Sequence, residues 1–514
     1  MKKAMLVALS TVAAMSAFGQ AKVETKSFDY NRSSVSVIAL DGLTSYDNLN
    51  DQIAASQTFD GKFDMNKIQT KNLKVANDIT AIQQALNDAG VVKQALNDIF
   101  KFDGKFMSNE TLIDRAMYNA TDADILQAKA SKVNGIYAGS KGLLKNIYFI
   151  VAGPTSVDLA KDKKGNDAGY TAYVDAYVYK AAINEITLES INESFMDKDM
   201  SAAELKKAKT AYDALNIPVE FVAVANKCYG SGDNQQEAIA NAYEDILQPL
   251  EKKIDAWNVV TTIFSKNPLG AKIGKKEGLK NSDRYEVFSV NEDATGALVY
   301  KHKGYVRATN IVDNAQVATG KSDCSNFYQI AGGILQNGWF LKQKKDLRID
   351  VSASYNIGED ALSQFEVGFD YLLHTSQSFG MMQYALLNVG FDSEDAGSNS
   401  VQYIPVSLGL GLGVHPIRQL EVMPYAYVGG DYLMSIDGLT FDDEDDSFSK
   451  KIGYFGGAGV KASWQVWYPV QIFVKADYSL TFGDGGDYYK VVKECLDKER
   501  KGGFGLGIGA KYTF

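Results

Sequence analysis

The sequence predicts a multidomain chain: an N-terminal α+β region with a small all-β module, followed by a C-terminal eight-stranded antiparallel transmembrane β-barrel. Three observations carry that reading. In the last stretch, Phe504, Leu506, Ile508, Ala510, Tyr512 and Phe514 share one face of a strand, while Gly505, Gly507, Gly509, Lys511 and Thr513 share the other. Segments of the same alternating kind precede it from about residue 347, whereas everything upstream mixes helical periodicity with strands. An edge strand this apolar would invite aggregation in water, but a barrel closed in lipid needs apolar groups outside and tolerates polar ones inside.

With 514 residues and 46% hydrophobic content, the chain is long enough for several domains, each with a core. Its formal charge of -10 and the lack of a basic run with interleaved aromatics predict no nucleic-acid partner. Lys2 and Lys3, the apolar run 5–17 and the small-x-small pattern Ala17-Phe18-Gly19 read as a secretory signal over residues 1–19. No cysteine lies near that site, so a lipid anchor there is not expected. Downstream there is no run of roughly 18 apolar residues, so any membrane span must be made of strands. Cys228, Cys324 and Cys495 cannot all pair within one chain; spacing leaves open a Cys228–Cys324 disulfide or three buried thiols.

Residues 20–260 are expected to form the α+β domain or domains. Residues 34–40 are dense in β-branched side chains and stop at Asp41-Gly42, a strand and its turn. Ile79, Ile82 and Leu86 recur on one face of a helix over 77–89, with Gly90 as its stop and a second helix after it. Two short echoes, Phe-Asp-Gly-Lys-Phe at 59–63 and 102–106 and Gln-Ala-Leu-Asn-Asp at 84–88 and 94–98, read as reused local turn and helix chemistry. Residues 147–152 are wholly apolar, as in a strand buried on both faces, and 171–180 alternate. Ser201-Ala202-Ala203-Glu204 is a capping box opening a helix that Pro218 stops, and Val219, Phe221, Ala223 and Ala225 mark the next strand. An amphipathic helix is expected over 234–257 with a kink at Pro249. Residues 261–343 then change to short strands with glycine turns, at 284–290, 296–302, 304–311 and 332–341, the small all-β module. This module, with Ile273-Gly274-Lys275-Lys276-Glu277-Gly278-Leu279, loosely resembles the small β-barrel modules of periplasmic envelope proteins.

Residues 346–514 are expected to be the barrel. Eight segments alternate, at 347–357, 365–373, 379–391, 404–414, 420–432, 452–464, 470–482 and 504–514, each near the roughly 9–11 residues a tilted strand needs to cross a bilayer. The third and fifth are ambiguous in face. Links after the second, fourth and sixth are short, and those after the third, fifth and seventh are long, at 392–402, 433–451 and 483–502. Short periplasmic turns alternating with longer external loops would place residue 346 and Phe514 in the periplasm, with the N-terminal region beneath the barrel.

On that strand pattern and on Tyr512 and Phe514, the C-terminal third resembles the eight-stranded Gram-negative outer-membrane barrels typified by the membrane domain of outer-membrane protein A and its small relatives. The resemblance implies lipid of the outer membrane and the barrel-assembly machinery as partners, with Tyr512 and Phe514 as the assembly signal. The domain order departs from that family's type member, whose peptidoglycan-binding domain follows its barrel, so its ligand does not carry over.

An eight-stranded barrel is only wide enough inside for side chains. The expected interior polar set is Arg348, Asp350, Glu366, Asp370, Lys461, Lys475, Asp477 and Lys511, near enough to charge balance to form a salt-bridged plug rather than an ion path. The acidic run 442–446 offers oxygen ligands but lacks the glycine a calcium loop requires, and reads as a solvated loop. His302, His374 and His415 have no partner at metal spacing, so neither metal nor cofactor is expected. The favoured function is a non-enzymatic outer-membrane protein whose periplasmic region binds an envelope protein or the cell wall. The runner-up is a small pore or a subunit of a transport or secretion assembly, and an outer-membrane enzyme ranks third.

Overall fold

The computed structural model describes residues 32–41, 62–108, 115, 132–133, 136–137, 141–161, 164–292, 298–315, 317, 322–358, 361–396, 399–436, 452–484 and 500–514. The signal sequence, most of the first Asp-Gly echo, the acidic run 442–446 and Cys495 lie outside the described residues.

β1 (Ser34–Leu40) is almost wholly buried, as its β-branched run predicts. It pairs in parallel with β2 (Asp64–Met65) and β3 (Asn72–Leu73) along one edge and with β4 (Ile147–Lys161) along the other. β4 returns antiparallel as β5 (Asp167–Ala181), and β6 (Val219–Gly232) closes the order β2-β1-β4-β5-β6. Helices α1 (Ile79–Asp88), α2 (Val91–Ile99), α3 (Glu185–Glu193) and α4 (Ala202–Ala214) bury Leu86, Leu96, Ile191 and Tyr212 with Ile38, Phe149 and Tyr179 on one face of this sheet. α5 (Gln235–Glu244) and α6 (Leu247–Lys253) bury Ile239, Tyr243 and Leu250 with Val35, Ile150 and Val174 on the other. A sheet between two helical layers is the result. The capping box forms: Ser201 Oγ accepts from Glu204 N at 3.3 Å, and Glu204 Oε2 accepts from Ser201 N at 2.8 Å.

The expected single helix over 234–257 is two, α5 and α6, separated at Asp245 and Ile246. Proline clashes with the carbonyl four residues earlier, so Pro249 ends helical continuity at residue 245 rather than at itself. α5 sits so close to β6 that a Cβ on Gly230 would lie 2.2 Å from Ala238 O and from Ala242 N. Gly230→Ala is therefore expected to cost about 1–3 kcal/mol by forcing helix and strand apart. Faster amide hydrogen exchange across residues 219–253 of the full chain checks this, and unchanged protection would refute it.

Residues 260–343 form a seven-stranded antiparallel sheet of β7 (Val260–Thr262), β8 (Ser265–Lys266), β9 (Leu269–Ala271), β10 (Arg284–Glu292), β11 (Leu298–Ala308), β12 (Ser325–Gly332) and β13 (Phe340–Gln343). Its order is β8-β9-β12-β11-β10-β13-β7. The separate strands expected at 296–302 and 304–311 are one strand, β11, with a bulge where Val287 faces Gly304 and Phe288 faces His302. Gly304 marks a close approach of backbones rather than a turn, because a Cβ there would lie 2.4 Å from Ala331 O. The strand expected at 332–341 is mostly connection, while β12 went unpredicted. Within the 273–279 motif, the buried Glu277 carboxylate accepts from Gly274 N at 2.7 Å and Asn314 Nδ2 at 2.8 Å, pinning a tight turn. Burial pushes its carboxyl above the usual range.

The last eight strands, β14 (Ile349–Ile357), β15 (Phe365–Thr375), β16 (Met382–Ala396), β17 (Asn399–Ile417), β18 (Leu420–Ile436), β19 (Ile452–Trp467), β20 (Val470–Asp484) and β21 (Phe504–Thr513), close into an antiparallel barrel. Closure is made by β14 against β21, with Asp350 opposite Thr513 and Ile357 opposite Leu506. Strands β16 and β17 are longer than expected, so most of the loop foreseen at 392–402 is paired strand, Asp392 facing Tyr403 and Ala396 facing Asn399.

Candidate functional site

The barrel's exterior decides its environment. Leu387, Leu408, Leu410, Val428, Val460, Val474 and Ile508 are exposed on its outer face. Aromatic side chains gather toward the strand ends, with Tyr371, Trp464 and Trp467 beside the short turns and Phe391, Tyr432, Tyr454, Phe482 and Phe504 toward the opposite rim. An apolar band between two aromatic girdles, on strands that leave no edge, defines a transmembrane β-barrel.

Inside, the charged residues pair across the lumen. Lys461 Nζ lies 2.7 Å from Asp370, and Lys475 Nζ lies 2.6 Å from Glu366. Lys511 Nζ stands between Asp350 at 3.1 Å and Glu421 at 2.9 Å, and the Tyr384 hydroxyl donates to Glu421 at 3.0 Å. Asp477 accepts from the Tyr427 hydroxyl at 3.1 Å. Toward the long-loop rim, Arg500 binds Asp392 at 2.8 Å and Asp431 at 2.5 Å, donates to Leu362 O at 2.6 Å and lies over the Tyr403 ring at 4.0 Å. Seven members of the expected interior set therefore line or cross the lumen. The eighth, Arg348, does not: it precedes β14 with φ 58°, and its guanidinium turns to Asn281 O at 2.8 Å and Asp283 at 3.3 Å. Glu421, Asp392, Asp431 and Arg500 belong to the same lumen but lie outside the expected set. Tyr512 and Phe514 touch edge to face, with ring centroids 4.6 Å apart, and the Phe514 ring is exposed.

At the short-turn end the seven-stranded sheet docks on the barrel. Asp346, in the connection between them, is nearly inaccessible and lies 2.7 Å from Arg307 and 3.5 Å from Arg284. Arg284 also donates to the Tyr468 hydroxyl in the turn between β19 and β20, and the Tyr468 ring stacks on Tyr305 at 3.7 Å. Asn281 Nδ2 donates to Thr375 O at 2.9 Å, and its Oδ1 accepts from Thr375 N at 3.0 Å. Ile330, Tyr305 and Tyr328 continue the apolar cluster of Leu372, Met382, Tyr384 and Met423 at that mouth. Burial alone would pull the Arg307 guanidinium down, but Asp346 beside it outweighs this and holds it above its usual value. Burial pushes the Asp283 carboxyl up, with Lys345 and Arg348 opposing.

Where the connection to the barrel meets the first domain, Lys62 and Lys345 both bind the buried Glu251 of α6, Lys345 at 3.0 Å. Cys228 and Cys324 are both free thiols, so the disulfide left open above is not formed. Cys228 is buried in the α5 face of the first domain, where burial raises its thiol to about 11. His302 packs against Phe288 and Tyr305, and His415 against Tyr328, which places both in packed walls.

No protein-family model matches the chain, and no curated protein matches it. Among solved structures, a major outer membrane protein of Thermus thermophilus is similar over 32% of this chain and 99% of its own, at 15% identity and TM-score 0.24. The outer membrane protein Ail of Yersinia pestis is similar over 32% and 98%, at 15% identity and TM-score 0.19. A de novo designed transmembrane β-barrel is similar over 33% and 98%, at 14% identity and TM-score 0.18. Scores this low carry no argument; the closed register and the exterior of this chain carry the assignment.

Proposed function

We propose that this protein is a non-enzymatic, non-conducting barrel of the Gram-negative outer membrane that holds residues 20–343 in the periplasm as a docked extension, and that the extension binds an envelope partner, a protein or the cell wall. The observation that carries this is the double closure of the lumen. Ion pairs cross it from β15 to β19 and β20 and from β18 to β21, and the seven-stranded sheet lies against its short-turn mouth. Short turns characterise the periplasmic side of such barrels, so the sheet and the domain before it belong there. Tyr512 and Phe514 then offer an aromatic strand end to the barrel-assembly machinery.

Protease treatment of intact and lysed cells, with fragments identified by mass spectrometry, tests the topology. Cleavage within 437–451 and 485–499 on intact cells, with residues 20–343 protected, is the expected result; cleavage of 20–343 from outside would overturn it. In planar bilayers the full chain is expected to give no unit conductance steps, and regular steps would favour the pore reading instead.

A further inference from the structure

A chamber of about 40 Å³ opens inside the long-loop half of the barrel, lined by Asn356, Glu366, Tyr425, Tyr427, Lys475 and Asp477 among others. That is above the roughly 10–15 Å³ needed to hold one water-sized species. The charges of its described lining do not balance. Glu366 and Asp477 are two carboxylates, and Lys475, bound to Glu366 at 2.6 Å, is the one cation among the described lining residues. The Arg500 guanidinium nearer the rim is already bound to Asp392 and Asp431. Asp477 accepts a hydrogen bond from Tyr427 but has no ion pair among the described residues.

A second observation points to a ligand. Tyr425 and Asn356 are each more than nine-tenths buried, both line this chamber, and the Tyr425 hydroxyl and Asn356 Oδ1 have no hydrogen-bond partner among the described residues. The amide's orientation is fixed, because Asn356 Nδ2 donates to Ser363 O at 3.0 Å and Ser363 Oγ at 3.2 Å, leaving Oδ1 as an unused acceptor. Buried acceptors without donors and an uncompensated carboxylate within a membrane-spanning barrel each carry a desolvation cost that a cation would relieve.

We propose that this chamber binds one alkali-metal cation through the Asp477 carboxylate, Asn356 Oδ1 and the Tyr425 hydroxyl oxygen. The excess is a single negative charge, which one monovalent ion neutralises. A divalent ion would overshoot that single charge and leave a buried positive excess in its place. The ion would complete the charge balance of the chamber, making that balance depend on the salt outside.

The test is calorimetric titration of sodium chloride, then potassium chloride, into the folded full chain held in choline chloride at constant ionic strength; choline is too large for the chamber. A saturable isotherm of one ion per chain is expected, weakened at least tenfold in Asp477→Asn and measurably in Tyr425→Phe. Heat-modifiable gel mobility reports whether each variant is folded. Should Asp477→Asn fail to fold, Tyr425→Phe, which removes only a hydroxyl, decides by its affinity. The proposal is overturned by the absence of a sodium- or potassium-specific isotherm, or by isotherms the folded variants leave unchanged. An infrared band of a protonated carboxyl that Asp477→Asn abolishes would likewise overturn it, since a proton would then be the neutralising species.

Discussion

Replacing Lys511 by methionine is expected to cost the barrel about 3–5 kcal/mol, the usual penalty for removing one partner from a buried ion cluster. Lys511 is the ammonium between two carboxylates, Asp350 and Glu421, and all three are almost inaccessible to solvent. Methionine matches its length and apolar stem, so lost packing contributes little. What remains is two like charges facing each other across a lumen where water is scarce. The variant Lys511→Met with Asp350→Asn and Glu421→Gln should recover most of the loss, because the cost lies in stranded charge rather than in the missing contact. Urea unfolding of the full chain in vesicles, followed by the heat-modifiable gel mobility of the barrel, gives the comparison. A loss below about 1 kcal/mol for the single variant would mean that water reaches the cluster freely and that the lumen is not closed at this level.

The eight barrel strands were legible because lipid outside and polar side chains inside impose opposite demands on alternate residues. β21 shows this most simply, with Ile508 outward and Lys511 inward. Where the lumen is itself apolar, the alternation fails. In β16 and β18, Tyr384, Leu386, Met423 and Tyr425 point inward to meet Ile330, Tyr305 and Tyr328 from the docked sheet, so both faces read alike and Glu421 was lost among them. Asp392 carries no strand signal because strand ends standing beyond the lipid need no apolar face. Arg500 lies outside any strand and reaches the lumen from the segment before β21. In the α+β domain the capping box and the β-branched run of β1 were readable because each is local. The break before Pro249 and the bulge at Gly304 were not, since the first acts on a carbonyl four residues away and the second answers a neighbouring strand. Docking of sheet on barrel left no mark in the sequence, because Arg284, Arg307 and Asp346 are separated by up to 62 positions (346 minus 284) and look like ordinary surface charges until folding buries them together.

That cluster makes the second large prediction. Asp346→Ala leaves the buried guanidiniums of Arg284 and Arg307 without the carboxylate they share, at an expected cost of about 3–5 kcal/mol. The cost should fall on the docking of the sheet module rather than on the barrel, because Asp346 lies in the connection between β13 and β14 and the lumen pairs of Lys461, Lys475 and Lys511 do not involve it. At 1.4 kcal/mol per factor of ten, the undocked population should rise at least roughly 100-fold. Trypsin cleavage after Arg348 reads this directly, since its guanidinium is held by Asn281 O and Asp283 of the sheet module in the docked state and becomes accessible when the sheet swings away. Heat-modifiable mobility of the barrel fragment should persist. If cleavage stays at the wild-type rate, the contacts around Tyr468 and Asn281 hold the sheet without the charge cluster. If the barrel unfolds together with the module, the two are one cooperative unit, and a rigid extension loosely hinged at residue 346 is ruled out in favour of a single body spanning the membrane and the compartment beneath it.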